Sequence, residues 1–116
     1  MIVVDPSSGI PPFEQMRAQL EAEILSGRAT GGSRLPTVRQ LASDLGVAPG
    51  TVQSAYRELE AAGLIVTRGS AGTRVAENRV ADADLLAAAA DFAATAHAKG
   101  LSQEDAVSIL RGAWGA

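Results

Sequence analysis

Two glycine-terminated helices separated by only three residues constrain the fold of this sequence more than any other feature. The run Thr37-Val38-Arg39-Gln40 fits the Ser/Thr-x-x-Glu/Gln capping box that starts a helix, and Gly46 suits the left-handed position that ends one. Val47-Ala48-Pro49 then leads into another helix, which we expect from about Pro49 to Ala62, with Gly63 as its stop. Two helices joined by so short a turn predict a helix-turn-helix.

The segments on either side complete a winged domain. Residues 1–10 read as a short extended arm, and Pro11-Pro12 opens a helix whose apolar positions recur at helical spacing up to Gly27. After the helix-turn-helix, the pattern predicts a strand over 64–67, a glycine-rich turn over 68–72 and a returning strand over 73–76. A small hairpin in this place is a wing. Residues 1–76 are therefore predicted to form a winged helix-turn-helix domain.

The remaining residues, 77–116, predict a pair of helices that dimerise. One helix runs from about Ala81 to Ala98, and a second follows the run Ser102-Gln103-Glu104-Asp105, which resembles a capping box. Only 3% of the residues are aromatic, and a core with so few large side chains often needs a partner. The fold class is thus mainly α with a small β-hairpin (α+β), and the predicted dimer contacts are Leu85, Leu86, Ala89, Phe92, Ala96, Val107, Leu110 and Trp114.

Composition argues against an enzyme. The chain has no cysteine and a single histidine, His97, which excludes disulfides, thiolate metal sites, cysteine nucleophiles and a histidine-pair metal site. It contains no phosphate-binding glycine loop and no nucleophile paired with a base. We expect no metal and no cofactor. The sequence also lacks a secretory signal and an apolar run near the roughly 18 residues of a membrane span, so we expect a cytoplasmic protein without membrane contact.

Charge is sorted along the chain. The formal net charge is −3, which by itself disfavours an acidic partner. Residues 28–74, however, carry six arginines against three acidic residues, whereas residues 77–116 carry three basic and six acidic residues. The basic part coincides with the predicted helix-turn-helix and wing, which favours double-stranded DNA as the partner.

Residues 11–76 resemble the DNA-binding domain of the GntR family of bacterial transcription regulators. Order and spacing agree over the segments Phe13–Met16, Ile24–Arg28, Gly32–Ala42, Leu45–Val47, Thr51–Val52, Ala55–Glu60, Gly63–Ile65 and Gly72–Thr73. Most members carry a large C-terminal sensing domain, but only 40 residues follow residue 76 here. A two-helix tail that ends in tryptophan is similar to the small YtrA-like subfamily, whose tails dimerise and whose members often control transporter operons.

The second helix of the motif has the right width to read the major groove, where base pairs show distinct donor and acceptor patterns. Gln53 can contact adenine with two hydrogen bonds, and Thr51 can reach a phosphate or a thymine methyl group. The resemblance implies that Arg39 contacts DNA and that Arg34 clamps a phosphate. Arg68 is the expected minor-groove probe. The predicted DNA contacts are Arg34, Thr37, Arg39, Ala48, Pro49, Gly50, Thr51, Gln53, Ser54, Arg57, Arg68, Gly69, Gly72 and Thr73.

This sequence departs from the family at two places. Gln53 stands where many members have arginine, and the wing has one arginine in its turn where YtrA-like relatives carry several. Fewer neutralised phosphates predict a modest affinity and a shallow salt dependence. Arg57 has two interpretations, a phosphate contact or an ion pair with Glu58 or Glu60. Tyr56 reads as a packing residue.

The sequence therefore predicts a homodimeric repressor that binds an inverted-repeat operator, of its own or a transporter operon. The alternative is a winged-helix module that docks another protein without specific DNA binding. Salt-sensitive, specific binding to double-stranded DNA separates the two. A small-molecule effector is not identified. Forty tail residues are too few to enclose a drug-sized ligand alone, which leaves a cleft between two subunits, or one between the tail and the DNA-binding domain, as the place for such a ligand.

Overall fold

The computed structural model describes residues 2–69, 72–77 and 81–115. Its elements, in chain order, are α1 (Pro12–Leu25), α2 (Val38–Leu45), α3 (Pro49–Ala61), β1 (Ile65–Thr67), β2 (Thr73–Val75), α4 (Ala83–Ala98) and α5 (Gln103–Trp114). They form two compact units, Met1–Val80 and Ala81–Ala116, called here the winged head and the C-terminal hairpin. The predicted fold class is confirmed. Ser70 and Ala71 of the predicted wing turn lie outside the described residues.

One apolar core holds the winged head together. It combines α1, α2, α3 and both strands, because the apolar positions of each helix recur every three or four residues and so fall on one face. Ala62, which the pattern places on the inner face of α3, is exposed, since it caps the helix and the chain turns away at Gly63. The buried residues are Met16, Leu20, Ile24, Leu41, Ala42, Val52, Ala55, Tyr56, Leu59, Leu64, Ile65 and Val75.

The helix starts follow the capping chemistry that the sequence carries. In α2, the backbone N–H of Gln40 donates to Thr37 Oγ1 over 3.1 Å, and the backbone N–H of Thr37 donates to Gln40 Oε1 over 3.0 Å. The same reciprocal pair joins Ser102 and Asp105 at α5. Asp82 caps α4 by accepting from the backbone N–H of Leu85, so the predicted helix start at Ala81 is two residues too early.

A third, short segment of extended chain pairs with the wing strands. β1 and β2 pair antiparallel, with Ile65 opposite Val75. On the other edge of β2, the backbone N–H of Leu35 donates to the carbonyl of Thr73 over 2.8 Å, and that of Val75 donates to the carbonyl of Ser33 over 2.9 Å. The chain that enters α2 is therefore fixed by hydrogen bonds to the wing.

Two glutamines of α1 hold the N-terminal arm. Gln19 accepts from the backbone N–H of Val3 over 2.8 Å and donates to the carbonyl of the same residue over 2.7 Å. Gln15 makes the same pair of bonds to Asp5, over 2.8 and 3.0 Å. Each amide thus reproduces the pairing of a neighbouring strand. Residue 4 of the arm packs against the head core between these two anchors.

The C-terminal hairpin covers little of its own apolar surface. Within its described residues, only Ala96 is buried, at 7% exposure, and α5 has no buried residue. Leu85, Phe92, Val107, Ile109, Leu110 and Trp114 are all exposed. None of the described helices combines the length and the apolar character needed to cross a membrane.

Candidate nucleic-acid interface

The outward face of α3 presents the predicted reading residues. Val52, Ala55, Tyr56 and Leu59 are buried and fix the orientation of the helix against the head core. Because of this orientation, positions 50, 53 and 57, spaced by three and four residues, form one exposed stripe. Gly50 has open space where a Cβ would stand, which allows close approach by another backbone. Thr51 and Ser54 flank the stripe and are half-buried.

The N-terminus of α3 has no side-chain cap. Ala48 occupies the capping position and makes no side-chain hydrogen bond, and Pro49 follows as the first helical residue. α2, α4 and α5 are each capped by a threonine, aspartate or serine, whereas α1, which also begins with a proline, has no side-chain cap either. An uncapped helix start exposes backbone N–H donors and the positive end of the helix dipole, which together favour an anion such as a phosphate.

Arg34 and Arg39 both line a groove of about 930 Å³. Arg39 is exposed in the first turn of α2. Thr37 lies between the two arginines in sequence, and its hydroxyl oxygen is used by the capping box, which leaves the hydroxyl proton free to donate. The full lining is Arg34, Leu35, Pro36, Thr37, Arg39, Gln40, Ser43 and Asp44.

The wing brings Gly72 and Thr73 next to Arg34 and leaves Arg68 exposed. Gly69 and Gly72 have φ angles of 51° and 78°, and the backbone N–H of Gly72 donates to the carbonyl of Gly69 over 3.0 Å. These angles favour glycine. Arg68 lines a separate recess of about 450 Å³ together with Val66 and residues of β2. The structure therefore places the predicted contacts in three groups: the α3 stripe, the α2 groove and the wing.

Arg57 does not form the ion pair that was one of its two interpretations. Glu58 Oε2 lies 3.6 Å from Arg17 Nε, and Glu60 accepts from the backbone N–H of Thr67 over 3.2 Å. Within the described part of the chain, the guanidinium of Arg57 has no ion-pair partner, and it is exposed. Its charge is therefore available to a ligand outside the molecule.

Arg17 links the outer face of α1 to α3. Its Nε lies 3.1 Å from Glu14 Oε1, and its Nη1 lies 2.8 Å from Glu21 Oε2. The hydrogen bond from Arg17 lowers the pKa of the Glu14 carboxyl, and the same bond raises the pKa of Arg17. Because Glu58 of α3 also approaches this guanidinium, the cluster contributes to the position of α3 relative to α1.

Tyr56 joins the core to the entry of α2. The ring is buried, as the sequence predicts for a packing residue, and the hydroxyl donates to the carbonyl of Pro36 over 2.7 Å. Burial raises the pKa of Tyr56 to about 12. The bond connects α3 to the residue before the α2 cap, so it helps to hold the stripe and the groove in a fixed relation.

Sequence reasoning missed the position of Arg74. It lies opposite Arg34 in the third-strand pairing, and its Nη1 donates to the carbonyl of Gly32 over 3.1 Å. The pairing joins residues forty positions apart, and no local pattern signals it. Ile109 was also missed; it is exposed on α5 beside the predicted dimer contacts.

The predicted dimer contacts are mostly on the surface of the C-terminal hairpin. Trp114 is 80% exposed and Leu85 is 61% exposed. Ala89, Phe92, Val107 and Leu110 are also exposed, and Leu86 is half-buried. Ala96 is the exception, because it packs inside the hairpin. A recess of about 400 Å³ between Val107, Leu110, Arg111, Trp114 and Gly115 adds an apolar concavity to this surface.

A helix-turn-helix followed by a two-stranded wing, with an exposed reading face on its second helix, defines a winged helix-turn-helix protein. The sequence profile described as "Bacterial regulatory proteins, gntR family" matches residues 12–75. The chain therefore belongs to the GntR family. Its members and the relatives given below are DNA-binding regulators of transcription and not enzymes, which confirms the predictions on both points.

Two relatives and one solved structure support this assignment. The chain is 45% identical over 107 residues to the HTH-type transcriptional regulator Rv1152 of Mycobacterium tuberculosis. The aligned residues cover 92% of this chain and 88% of the relative. It is 42% identical over 78 residues to the HTH-type transcriptional repressor YtrA of Bacillus subtilis, and these residues cover 67% of this chain and 60% of the relative. The DNA-binding domain of AraR in complex with operator ORX1 is similar in fold, with a TM-score of 0.56, 27% identity, and coverage of 62% of this chain and 89% of that chain.

Proposed function

We propose that the protein is a homodimeric, cytoplasmic repressor that binds an inverted-repeat operator in double-stranded DNA. The observation that carries this proposal is the exposed α3 stripe beside an uncapped helix start and the Arg34–Arg39 groove. A related domain was solved in complex with its operator, and the relative YtrA is named a repressor. Binding over a promoter excludes the polymerase, and the target is its own or a transporter operon.

In this proposal, α3 enters the major groove and reads bases with its first turns. Gln53 is exposed and can donate to and accept from an adenine edge. Thr51 and Ser54 are close enough in sequence to contact the same or the next base pair. Arg57, one turn further along the stripe, reaches the phosphate backbone, because its guanidinium is exposed and free of Glu58 and Glu60.

Backbone contacts set the register. Arg39, Arg34 and the Thr37 hydroxyl face the α2 groove and bind phosphates on one side of α3. The backbone N–H groups of Ala48 and Gly50, on either side of Pro49, which has no N–H, bind another phosphate. Arg68 probes the minor groove from the wing, with Gly69, Gly72 and Thr73 allowing close approach. The small number of arginines limits the affinity and the salt dependence.

The C-terminal hairpin supplies the dimer contact. A single winged domain reads few base pairs, whereas a twofold dimer with reading helices about 34 Å apart reads two half-sites on one side of the duplex. Leu85, Phe92, Leu110 and Trp114 are large apolar side chains that the hairpin leaves uncovered. Burying them against a second copy removes this surface from water.

DNA binding is tested by fluorescence anisotropy at two salt concentrations, with the upstream intergenic DNA of the protein and a scrambled competitor. We expect specific binding that Arg39→Ala and Gln53→Ala weaken by about 10-fold each, the size of one base or phosphate contact. Arg28→Ala is the matched control: it removes the same charge from a side chain that is 77% exposed, pairs with Glu23 and lies outside all three contact groups.

The two substitutions separate reading from positioning. Gln53→Ala should weaken specific binding and leave binding to the scrambled DNA unchanged, whereas Arg39→Ala should weaken both. A salt slope on the order of −10 contradicts the predicted modest electrostatic contribution. Absence of binding to either DNA at low salt overturns the proposed function and favours the protein-docking alternative.

A further inference from the structure

The guanidinium of Arg34 lies next to Gly72 of the wing. A methyl group on the Cα of Gly72 would stand 3.0 Å from Nε, 3.0 Å from Nη2 and 3.3 Å from Cζ of Arg34. All three atoms belong to the planar guanidinium group. The charged end of Arg34 therefore occupies the space that any side chain at position 72 would need.

The backbone of Arg34 is fixed in this place by β2. Leu35 and Ser33, its two neighbours, both take part in backbone hydrogen bonds with β2, so Arg34 and Arg74 are directly opposite each other. Such a pair places both side chains close together, and two like charges in this position repel. The pairing therefore requires that the two guanidinium groups be directed apart.

The two guanidinium groups lie toward opposite ends of the paired segment. Arg74 donates from Nη1 to the carbonyl of Gly32, at one end of the paired segment. Arg34 lies over Gly72, which in antiparallel register is at the other end. From there, Arg34 also lines the groove that contains Arg39. The absence of a side chain at Gly72 thus leaves open the space in which the charge of Arg34 is held.

We propose that Gly72 positions the guanidinium of Arg34 for contact with the DNA backbone, in addition to allowing the turn of the wing. This inference rests on the proposed DNA-binding function. An arginine end group is mobile, so it yields to a methyl group at position 72 by a few tenths of an ångström, and the cost to the fold is mainly the backbone strain of a side chain at a φ of 78°. The shift moves the positive charge relative to the groove, and this part of the loss falls on DNA binding rather than on folding.

A double-mutant cycle tests the proposal. Gly72→Ala should weaken binding to the upstream DNA by about 10-fold in the wild-type background, the size of one hydrogen bond to a charged group. In the Arg34→Ala background there is no guanidinium to displace, so the same change should weaken binding less than in the wild type, and only by what a methyl group costs the close approach of the wing to DNA. Equal effects of Gly72→Ala in both backgrounds overturn the proposal.

Backbone strain is controlled separately. Gly46 has a φ of 69°, close to the 78° of Gly72, and nothing lies within 4 Å of a methyl group placed there. Gly46→Ala therefore reports the loss of melting temperature that strain alone produces, and Gly72→Ala should lose a similar amount. A much larger loss for Gly72→Ala contradicts the claim that the guanidinium yields easily.

A measurement without DNA separates the positioning of Arg34 by Gly72 from the proposed DNA-binding function. In ¹⁵N-labelled protein, the Nε–H proton of Arg34 should show a nuclear Overhauser effect to the Hα protons of Gly72. Its absence overturns the positioning of Arg34 even if DNA binds tightly. Its presence in a protein that binds no DNA overturns the proposed function, and with it the contact that Arg34 is positioned to make.

Discussion

The winged head and the C-terminal hairpin differ in how much apolar surface they cover by themselves. Among the described residues, twelve apolar side chains form one buried core in the head, whereas the hairpin buries only Ala96 and exposes Leu85, Phe92 and Trp114. The head buries its apolar core within itself, as an independent domain does, and presents polar and charged groups to a ligand. The hairpin resembles half of an interior, which supports the proposal that it packs against a second copy.

The largest expected effect is a change in the core of the head. Leu59 is buried on the inner face of α3, so Leu59→Ala should lower the free energy of unfolding by about 2–5 kcal/mol, through lost burial and a cavity. Leu110→Ala removes the same atoms from an exposed site in the hairpin and should cost much less in dilute protein. Urea unfolding followed by the helical signal of the whole chain measures both, and equal costs contradict this difference between head and hairpin.

The next effect concerns the hairpin as a dimer contact. Leu110→Asp combined with Trp114→Ala should convert a dimer into a monomer, because a charge and a lost ring disrupt the same apolar surface. Sedimentation should show half the mass, and affinity for an inverted repeat should fall by about 100-fold or more, since two linked half-sites no longer bind together. Ser108→Ala, in the same helix, is the control. An unchanged mass refutes the hairpin dimer.

Two equivalent caps allow a finer comparison of the regions. Thr37→Ala and Ser102→Ala each remove a capping box, at a cost of about 1 kcal/mol. Hydrogen exchange should accelerate in α2 for the first variant and in α5 for the second. Exchange that accelerates in both helices for either variant shows that head and hairpin unfold as one cooperative unit, and the comparison then fails.

The smallest effect concerns Tyr56. Tyr56→Phe removes the hydrogen bond to the carbonyl of Pro36 and should cost roughly 0.5 kcal/mol near neutral pH, because Pro36 lies at the surface where water can replace the hydroxyl.

Tyr56 also predicts a pH dependence. Its pKa is raised from 10.0 to about 12 in the folded head, so between these values the folded state keeps a proton that the unfolded chain has lost. The contribution of the protonated Tyr56 hydroxyl to the free energy of unfolding is complete below pH 10 and disappears as the pH rises through 12. Alkaline unfolding should show this decline in the wild type and less of it in Tyr56→Phe. Identical alkaline unfolding profiles for the two proteins contradict a raised pKa of Tyr56.

The sequence predicts those features that are decided by nearby residues. The capping box at Thr37, the stops at Gly46 and Gly63 and the apolar face of α3 are all local, and the structure has them where the pattern places them. The family was recognisable for the same reason, since its motif consists of closely spaced turn and cap residues.

The parts that the sequence could not predict depend on pairing between distant segments. Residues 32–35 join β2 across forty positions, and this alone brings Arg34 to Gly72 and Arg74. The separation of Arg57 from Glu58 has a similar origin, because Glu58 is drawn to Arg17 of α1. Local spacing shows which charges are near each other in the chain, but only the tertiary structure shows which of them are already paired.

The glutamines that hold the N-terminal arm make this part of the head sensitive to chemical ageing. Gln15 and Gln19 each use both halves of one amide, the oxygen as acceptor and the nitrogen as donor. Deamidation to glutamate keeps the acceptor but sets a second negative oxygen against the carbonyl of Val3 or Asp5. Deamidation at either position therefore releases the first residues from α1, and a mass increase of about one unit in the peptide that carries Gln15 and Gln19 identifies it by mass spectrometry.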